Sequence, residues 1–178
     1  MMASKEKIVF IVMGVSGVGK TTISRTLADR IGARYLEADD YHPDENRLAM
    51  QKGIPLSDAM RLPWLERLAT AGERQRQDGA AVIACSALKR SYRDLLRSKI
   101  GKLQFIYLHG SRELIAERLM ARTDHFMPPS MLTSQLSILE PPAADEDAIF
   151  IDVSPPKDAL NDIVEQSVRT KLTKLKVN

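Results

Sequence analysis

Four short stretches of the chain are apolar at nearly every position: KIVFIVM (7–13), AAVIAC (80–85), LQFIYL (103–108) and AIFIDV (148–153). They are rich in β-branched and aromatic residues, which suits strands buried on both faces of a parallel sheet. ARYLEA (33–38) is a weaker run of the same kind. Between the runs, helical patterns cover 20–31, about 44–52, about 61–78, 89–98, 111–122, 130–139 and 156–174. Pro63 near the start of the third stretch is tolerated there, since the first turn of a helix has no use for its missing N–H. Strand and helix in alternation predict a parallel sheet with helices on both faces. No repeat or linker interrupts the pattern, so one domain over residues 1–178 is expected. The insert at about 39–79 is longer than one crossover requires, and inserts of that kind often carry a substrate site.

Composition narrows the picture without changing it. A chain of 178 residues with 44% hydrophobic content can bury a sizeable core. The net charge of +3 fits a site that receives phosphates or carboxylates. There is no block of arginines and lysines to suggest a nucleic-acid partner, and TKLTKLK near the end reads as a solvated helix tail. Cys85 is the single cysteine, so no internal disulfide forms and a reducing compartment fits. The longest apolar run, Ile8 to Val15, is far below the ~20 residues of a membrane helix. MMASKEK lacks the apolar region and cleavage site of a signal peptide. A soluble, cytoplasmic protein is expected.

Chemistry first enters at GVSGVGKT (14–21), which fits the phosphate-loop pattern G-x-x-x-x-G-K-[ST] at every position. Gly14, Gly17 and Gly19 permit tight turns in which the N–H groups of Val15, Ser16, Val18 and their neighbours point at one phosphate chain. The helix that follows, opening at Lys20, Thr21 and Thr22, adds the positive end of its dipole. Lys20 would reach the terminal phosphates of ATP, and the Thr21 hydroxyl would ligate Mg²⁺. The guanine signature N-K-x-D of a GTPase switch is absent, as is an L-S-G-G-Q-like stretch of transport ATPases. A small-molecule kinase suits the chain better.

LEADDYHPDEN (36–46) follows the second strand and places carboxylates at the sheet edge where open α/β folds bind ligands. Period-two alternation sets Glu37 and Asp39 on one side and turns Asp40 away. A carboxylate there can accept a hydroxyl proton or hold the water shell of Mg²⁺. Asp44 reads as a helix cap, and His42 as either a solvated turn residue or a ligand. In ACSALKRSYRD (84–94), Ser86 lies at a turn into a helix, and Lys89 and Arg93, four apart, share a helix face suited to an anion. A merely solvated basic face is the alternative. Tyr92 reads as packing, and Cys85 as a small core residue. ERLMARTDHFMPPS (117–130) suits a lid, with Arg118 and Arg122 four apart at a helix end. Phe126 and Met127 read as lid packing, His125 is open, and Trp64 and Leu65 read as packing.

These stretches together resemble the thermoresistant gluconokinase family of carbohydrate kinases and, more distantly, shikimate kinase. The matching segments are MGVSGVGKT, ADDYHPDEN, MQKGIPL, RLPWLERL, ACSALKRSYRDLLR, ERLMARTDHFM and MLTSQLSILEPPAADE, in the family's order from residue 13 to about 147. The resemblance implies a three-layer αβα sandwich with a five-stranded parallel sheet of order 2-3-1-4-5 and a lid at about 122–131. It implies ATP-dependent phosphorylation of D-gluconate to 6-phosphogluconate, with Asp39 beside the accepting hydroxyl and His42 in the substrate pocket. It further implies Arg122 at the nucleotide, Arg118 near the phosphates, Glu37 and Asp39 near Mg²⁺ through water, and homodimerisation. Arg61, Lys89 and Arg93 would form the anionic pocket. Gln135 matches a family glutamine of open role. Two departures bear on the substrate: the family's D-G-D is Glu37–Ala38–Asp39, and its D-x-D-R is Asp58–Ala59–Met60–Arg61. Losing the acid at Met60 would cost ~1–3 kcal/mol if it held a substrate hydroxyl. A related sugar acid as substrate, and a non-catalytic nucleotide-binding regulator, are the alternatives.

Overall fold

The computed structural model describes residues 6–122 and 129–177. Five strands, β1 (Val9–Met13), β2 (Arg34–Glu37), β3 (Ala81–Ala84), β4 (Leu103–His109) and β5 (Ile149–Asp152), form one sheet in the order β2-β3-β1-β4-β5. Every pairing is parallel, with Val9 opposite both Ala81 and Leu103. The sheet is the one expected from the apolar runs and the family resemblance. All five residues of β1 are buried, as the central position between two hydrogen-bonded neighbours requires.

Among the described residues, seven helices follow the predicted spacing: α1 (Lys20–Ile31), α2 (Asp44–Gln51), α3 (Asp58–Asp78), α4 (Arg90–Lys99), α5 (Arg112–Met120), α6 (Pro129–Ile138) and α7 (Lys157–Val177). Side chains alternate across the sheet, so each face has its own core. Phe10, Val12, Val82 and Ile106 meet Ile23, Leu27 and Ile31 of α1 and Val164 and Val168 of α7 on one face. Val9, Ile11, Ile83 and Phe105 meet Leu65 and Leu68 of α3 and Tyr92 and Leu96 of α4 on the other. Helix α3 begins about three residues before the expected start because Ser57 caps it, its Oγ accepting the Met60 N–H at 3.2 Å. Pro63 consequently sits in the second turn of α3 rather than at its very start. The segment between β2 and β3 holds a 3₁₀ turn (Ala38–Tyr41), α2 and α3. Among the described residues, no helix is long and apolar enough to cross a membrane.

Candidate active site

Because all five strands run the same way, the loops after β1, β2 and β3 emerge at one edge of the sheet. The loop after β1 is residues 14–19. Gly14 (φ +146°) leaves no room for a side chain, since a Cβ would lie 2.7 Å from the Leu108 carbonyl oxygen. Gly17 (φ +93°) is similarly confined, its Cβ position 2.7 Å from Leu119 Cγ. The loop is therefore pressed against β4 and α5, with Val15 and Val18 buried as its anchors. The Gly14 N–H donates to the Ser86 carbonyl at 3.3 Å, joining it to the turn after β3. Gly19 precedes α1 in the left-handed region, so the helix N-terminus begins at Lys20.

Lys20 Nζ donates to the Val15 carbonyl at 3.0 Å. Burial pulls its pKa down to about 8, opposed by Cys85, Asp39 and Glu37 and reinforced by Arg122. The site thus holds a cation that a phosphate chain would favour. Thr21 Oγ1 donates to Glu37 Oε2 at 2.8 Å, and the same oxygen accepts from the Tyr35 hydroxyl at 2.5 Å. Thr22 is exposed on the first turn of α1. Hydroxyl and carboxylate oxygens are the hard donors Mg²⁺ takes, usually few from protein and the rest from phosphate and water. Thr21 and Glu37 fit that donor set, and the described residues contain no cluster of three or more His, Cys, Asp or Glu that would hold a metal by itself.

Strand β2 ends at Glu37, and the chain then coils into the 3₁₀ turn. The alternation expected through Asp40 is therefore wrong: Asp39 and Asp40 lie on a turn, where period two does not apply. The Asp39 side chain is 83% exposed, and its Oδ1 is 3.9 Å from His42 Nε2. Ala38 is buried in a right-handed conformation, so this position needs no glycine. Its carbonyl accepts the Trp64 indole N–H at 2.7 Å. Trp64 stacks on His42 with centroids 4.3 Å apart. His42 is buried, not a solvated turn residue, and burial followed by Arg47 and Arg61 depresses its pKa to about 4. Asn46 bonds to its ring.

The basic residues divide into two groups. Lys89 Nζ contacts both oxygens of Asp58 at 3.0 and 3.1 Å. The Tyr92 hydroxyl donates to Asp58 and accepts from Arg61 Nη1 at 3.0 Å, with Arg61 3.9 Å from Asp58. Hydrogen bonds from Tyr92 and Lys89 depress the Asp58 pKa. Arg93 is elsewhere. Its guanidinium has 0% exposure and makes a bidentate pair with Glu146 at 2.7 and 2.8 Å, while Nη1 donates to the Ala87 and Leu88 carbonyls. The expectation that Lys89 and Arg93 share a helix face is corrected here. Lys89 is the extended residue before α4, so it swings toward Asp58 while Arg93 turns into the core. Arg93 instead buttresses the turn that carries Ser86, where Ala87 adopts a left-handed φ of 43°.

Arg118 is half-buried on α5 with Nη2 donating to the Val153 carbonyl at 2.6 Å. Helix α5 stops at Met120, so Arg122 lies past its end and is exposed. Most of the expected lid, with His125, Phe126 and Met127, lies outside the described residues. Gln135 of α6 reaches the phosphate loop: its Oε1 accepts the Ser16 N–H at 2.7 Å and its Nε2 donates to Ser16 Oγ at 2.9 Å. The sequence reading missed Asn46 and the acceptor role of Asp58, and treated Tyr92 as packing alone. The spacing of His42 and Asn46, four apart across a helix start, is a signal that was present.

The family described as AAA domain matches residues 9–142. A probable gluconokinase of Rattus norvegicus is 46% identical over 164 residues, covering 82% of this chain and 89% of the relative. The thermosensitive gluconokinase of Escherichia coli K12 is 46% identical over 147 residues, covering 82% and 79%. The crystal structure of a gluconokinase from Sinorhizobium meliloti 1021 superposes with a TM-score of 0.87 at 39% identity, covering 97% and 98%.

Proposed function

For a chain that belongs to the gluconokinase family of P-loop kinases, we propose that the reaction is transfer of the terminal phosphoryl group of ATP to the terminal hydroxyl of D-gluconate. The products are ADP and 6-phospho-D-gluconate. The observation that carries this reading is the meeting, at one sheet edge, of the phosphate loop after β1 with the exposed carboxylate of Asp39 on the turn after β2.

The loop amides and Lys20 hold the phosphates, and Lys20 offsets charge that develops on the transferred group. Thr21, with Glu37 and Asp39 through water, would hold Mg²⁺, which would supply further neutralisation of phosphate charge. Asp39 orients the hydroxyl and takes its proton as the new P–O bond forms and the bond to ADP breaks. Arg61 and Lys89 are the cations for the sugar-acid carboxylate, in exchange for their contacts with Asp58. Ser86 lines the same turn, and Arg93 acts on the substrate only through that turn. His42 lies at the inner wall beside Asp39. Arg118 and Arg122 flank the nucleotide side, with Arg122 leading into the lid. Met60 leaves the pocket one acid short of the family pattern, which raises KM for gluconate without disturbing the transfer step.

The test is ADP release from Mg²⁺–ATP against gluconate, idonate, other aldonates, glucose and shikimate. Turnover is expected with gluconate, and Asp39→Asn is expected to lose about 10²-fold or more in kcat while still binding ATP. Preference for another acid would move the substrate and keep the mechanism. ATP binding without turnover on any acid would favour a regulator.

A further inference from the structure

Asn46 and His42 form a buried polar pair that no step of the proposed transfer has used. They are 2% and 6% exposed. The Asn46 amide nitrogen lies 2.9 Å from the Met60 carbonyl oxygen and 3.2 Å from His42 Nδ1. A backbone carbonyl can only accept, so the end of the Asn46 amide facing Met60 must be the NH₂ group. Its two hydrogens then serve two acceptors, the Met60 carbonyl and His42 Nδ1. A ring nitrogen that accepts cannot carry a proton of its own, so in the neutral imidazole the hydrogen is on Nε2.

The ring has little freedom to answer differently. Trp64 covers one face at an interplanar angle of 18°, and its own indole is tethered to Ala38 in the turn that carries Asp39. Arg47 donates to the carbonyls of His42 and Asp40, holding the backbone on both sides of Tyr41. Nε2 faces Asp39, whose Oδ1 is 3.9 Å away, a separation that a hydroxyl oxygen or a small adjustment can bridge.

We propose that Asn46 is a positioning residue that fixes His42 in its Nε2–H tautomer, making the imidazole a hydrogen-bond donor toward Asp39 and the accepting hydroxyl. This rests on the placement of that hydroxyl beside Asp39. The two side chains then divide the work. Asp39 accepts the proton, and His42 supplies an N–H that aligns the oxygen or the carboxylate. Met60 contributes through its backbone carbonyl, which any residue at that position retains.

The tautomer can be read in the free enzyme by long-range ¹H–¹⁵N correlation of ¹⁵N-histidine protein, with His42 assigned by its absence in His42→Gln. The expected wild-type pattern is an unprotonated Nδ1 and a protonated Nε2. In Asn46→Leu the pattern should become mixed or shift to Nδ1–H, with kcat down about tenfold and KM for ATP within twofold, the loss matching one hydrogen bond. A glutamine amide nitrogen reaches the place of Nε2, whereas asparagine reaches that of Nδ1. His42→Gln should therefore retain at least tenfold more turnover than His42→Asn. A wild-type Nδ1–H pattern overturns the proposal even if no variant folds. So does an Asn46→Leu protein whose tautomer changes while kcat stays the same. Absence of turnover with every sugar acid would sink the gluconate reading and leave the tautomer measurement to stand or fall separately.

Discussion

Glu146 has both carboxylate oxygens fully engaged: Oε1 accepts from Arg93 and the Ala143 N–H, and Oε2 from Arg93 and Arg97. The pair with Arg93 is the principal reason its pKa falls from the ordinary value of 4.5 to about 2. A depressed carboxylate contributes stability that is full above its unfolded pKa and is lost as pH falls toward the folded one. The melting temperature should therefore drop steeply between about pH 5 and pH 2, and Glu146→Gln should flatten that slope in thermal melts across the range. Arg93→Met leaves the buried carboxylate with only Arg97 and the Ala143 N–H, at a cost of about 3 kcal/mol or more. That corresponds to a loss of roughly 10 °C or more in Tm. Both effects belong to single residues, because the groups that face Glu146 leave it no water to fall back on.

At the scale of elements, the phosphate loop is held from two sides by helices that lie far along the chain. Gly17 packs on Leu119 and Ile115 of α5, and Ser16 bonds to Gln135 of α6. Gly17→Ala adds a methyl where Leu119 already sits and asks for a positive φ that alanine resists. Titration calorimetry should show ATP affinity falling by at least tenfold. Gln135→Ala removes two hydrogen bonds that cross from α6 to the loop. Stability should change by only about 1–2 kcal/mol. The kinetic effect should be larger, with KM for ATP raised about tenfold in steady-state assays, because the loop loses its fixed position relative to α6.

For the whole molecule, ligand binding and folding are linked. The proposed site is assembled from loops after three strands and from α3, α4 and α6, so Mg²⁺–ATP would bind the folded form and not the unfolded chain. At 100 times its Kd, such a ligand adds about 2.7 kcal/mol. This should raise Tm by roughly 5–10 °C in a chain of this size. EDTA added with the ATP should remove most of that rise in differential scanning fluorimetry, since the hard oxygens of Thr21 and Glu37 are matched to Mg²⁺.

The strands were legible because a parallel sheet covered on both faces must be apolar at consecutive positions, and that constraint acts within a few residues. The phosphate loop was legible for the same reason: its turn, its glycines and the start of α1 are set by eight neighbouring residues. Helix α3 was legible except at its start, where the weak signal of Ser57 was overlooked in favour of Pro63. What contiguous sequence could not decide was where long side chains end. Arg93 and Lys89 sit four apart in one basic stretch, yet one meets Glu146, 53 residues away, and the other meets Asp58. Gln135 finds Ser16 across 119 residues. By itself, the sequence determined the order of elements, the phosphate loop and the family. Only the tertiary structure decided which charges are consumed inside the fold and which remain at its edge. A flexible charged side chain takes the partner that packing brings within reach, and packing is a property of the assembled layers.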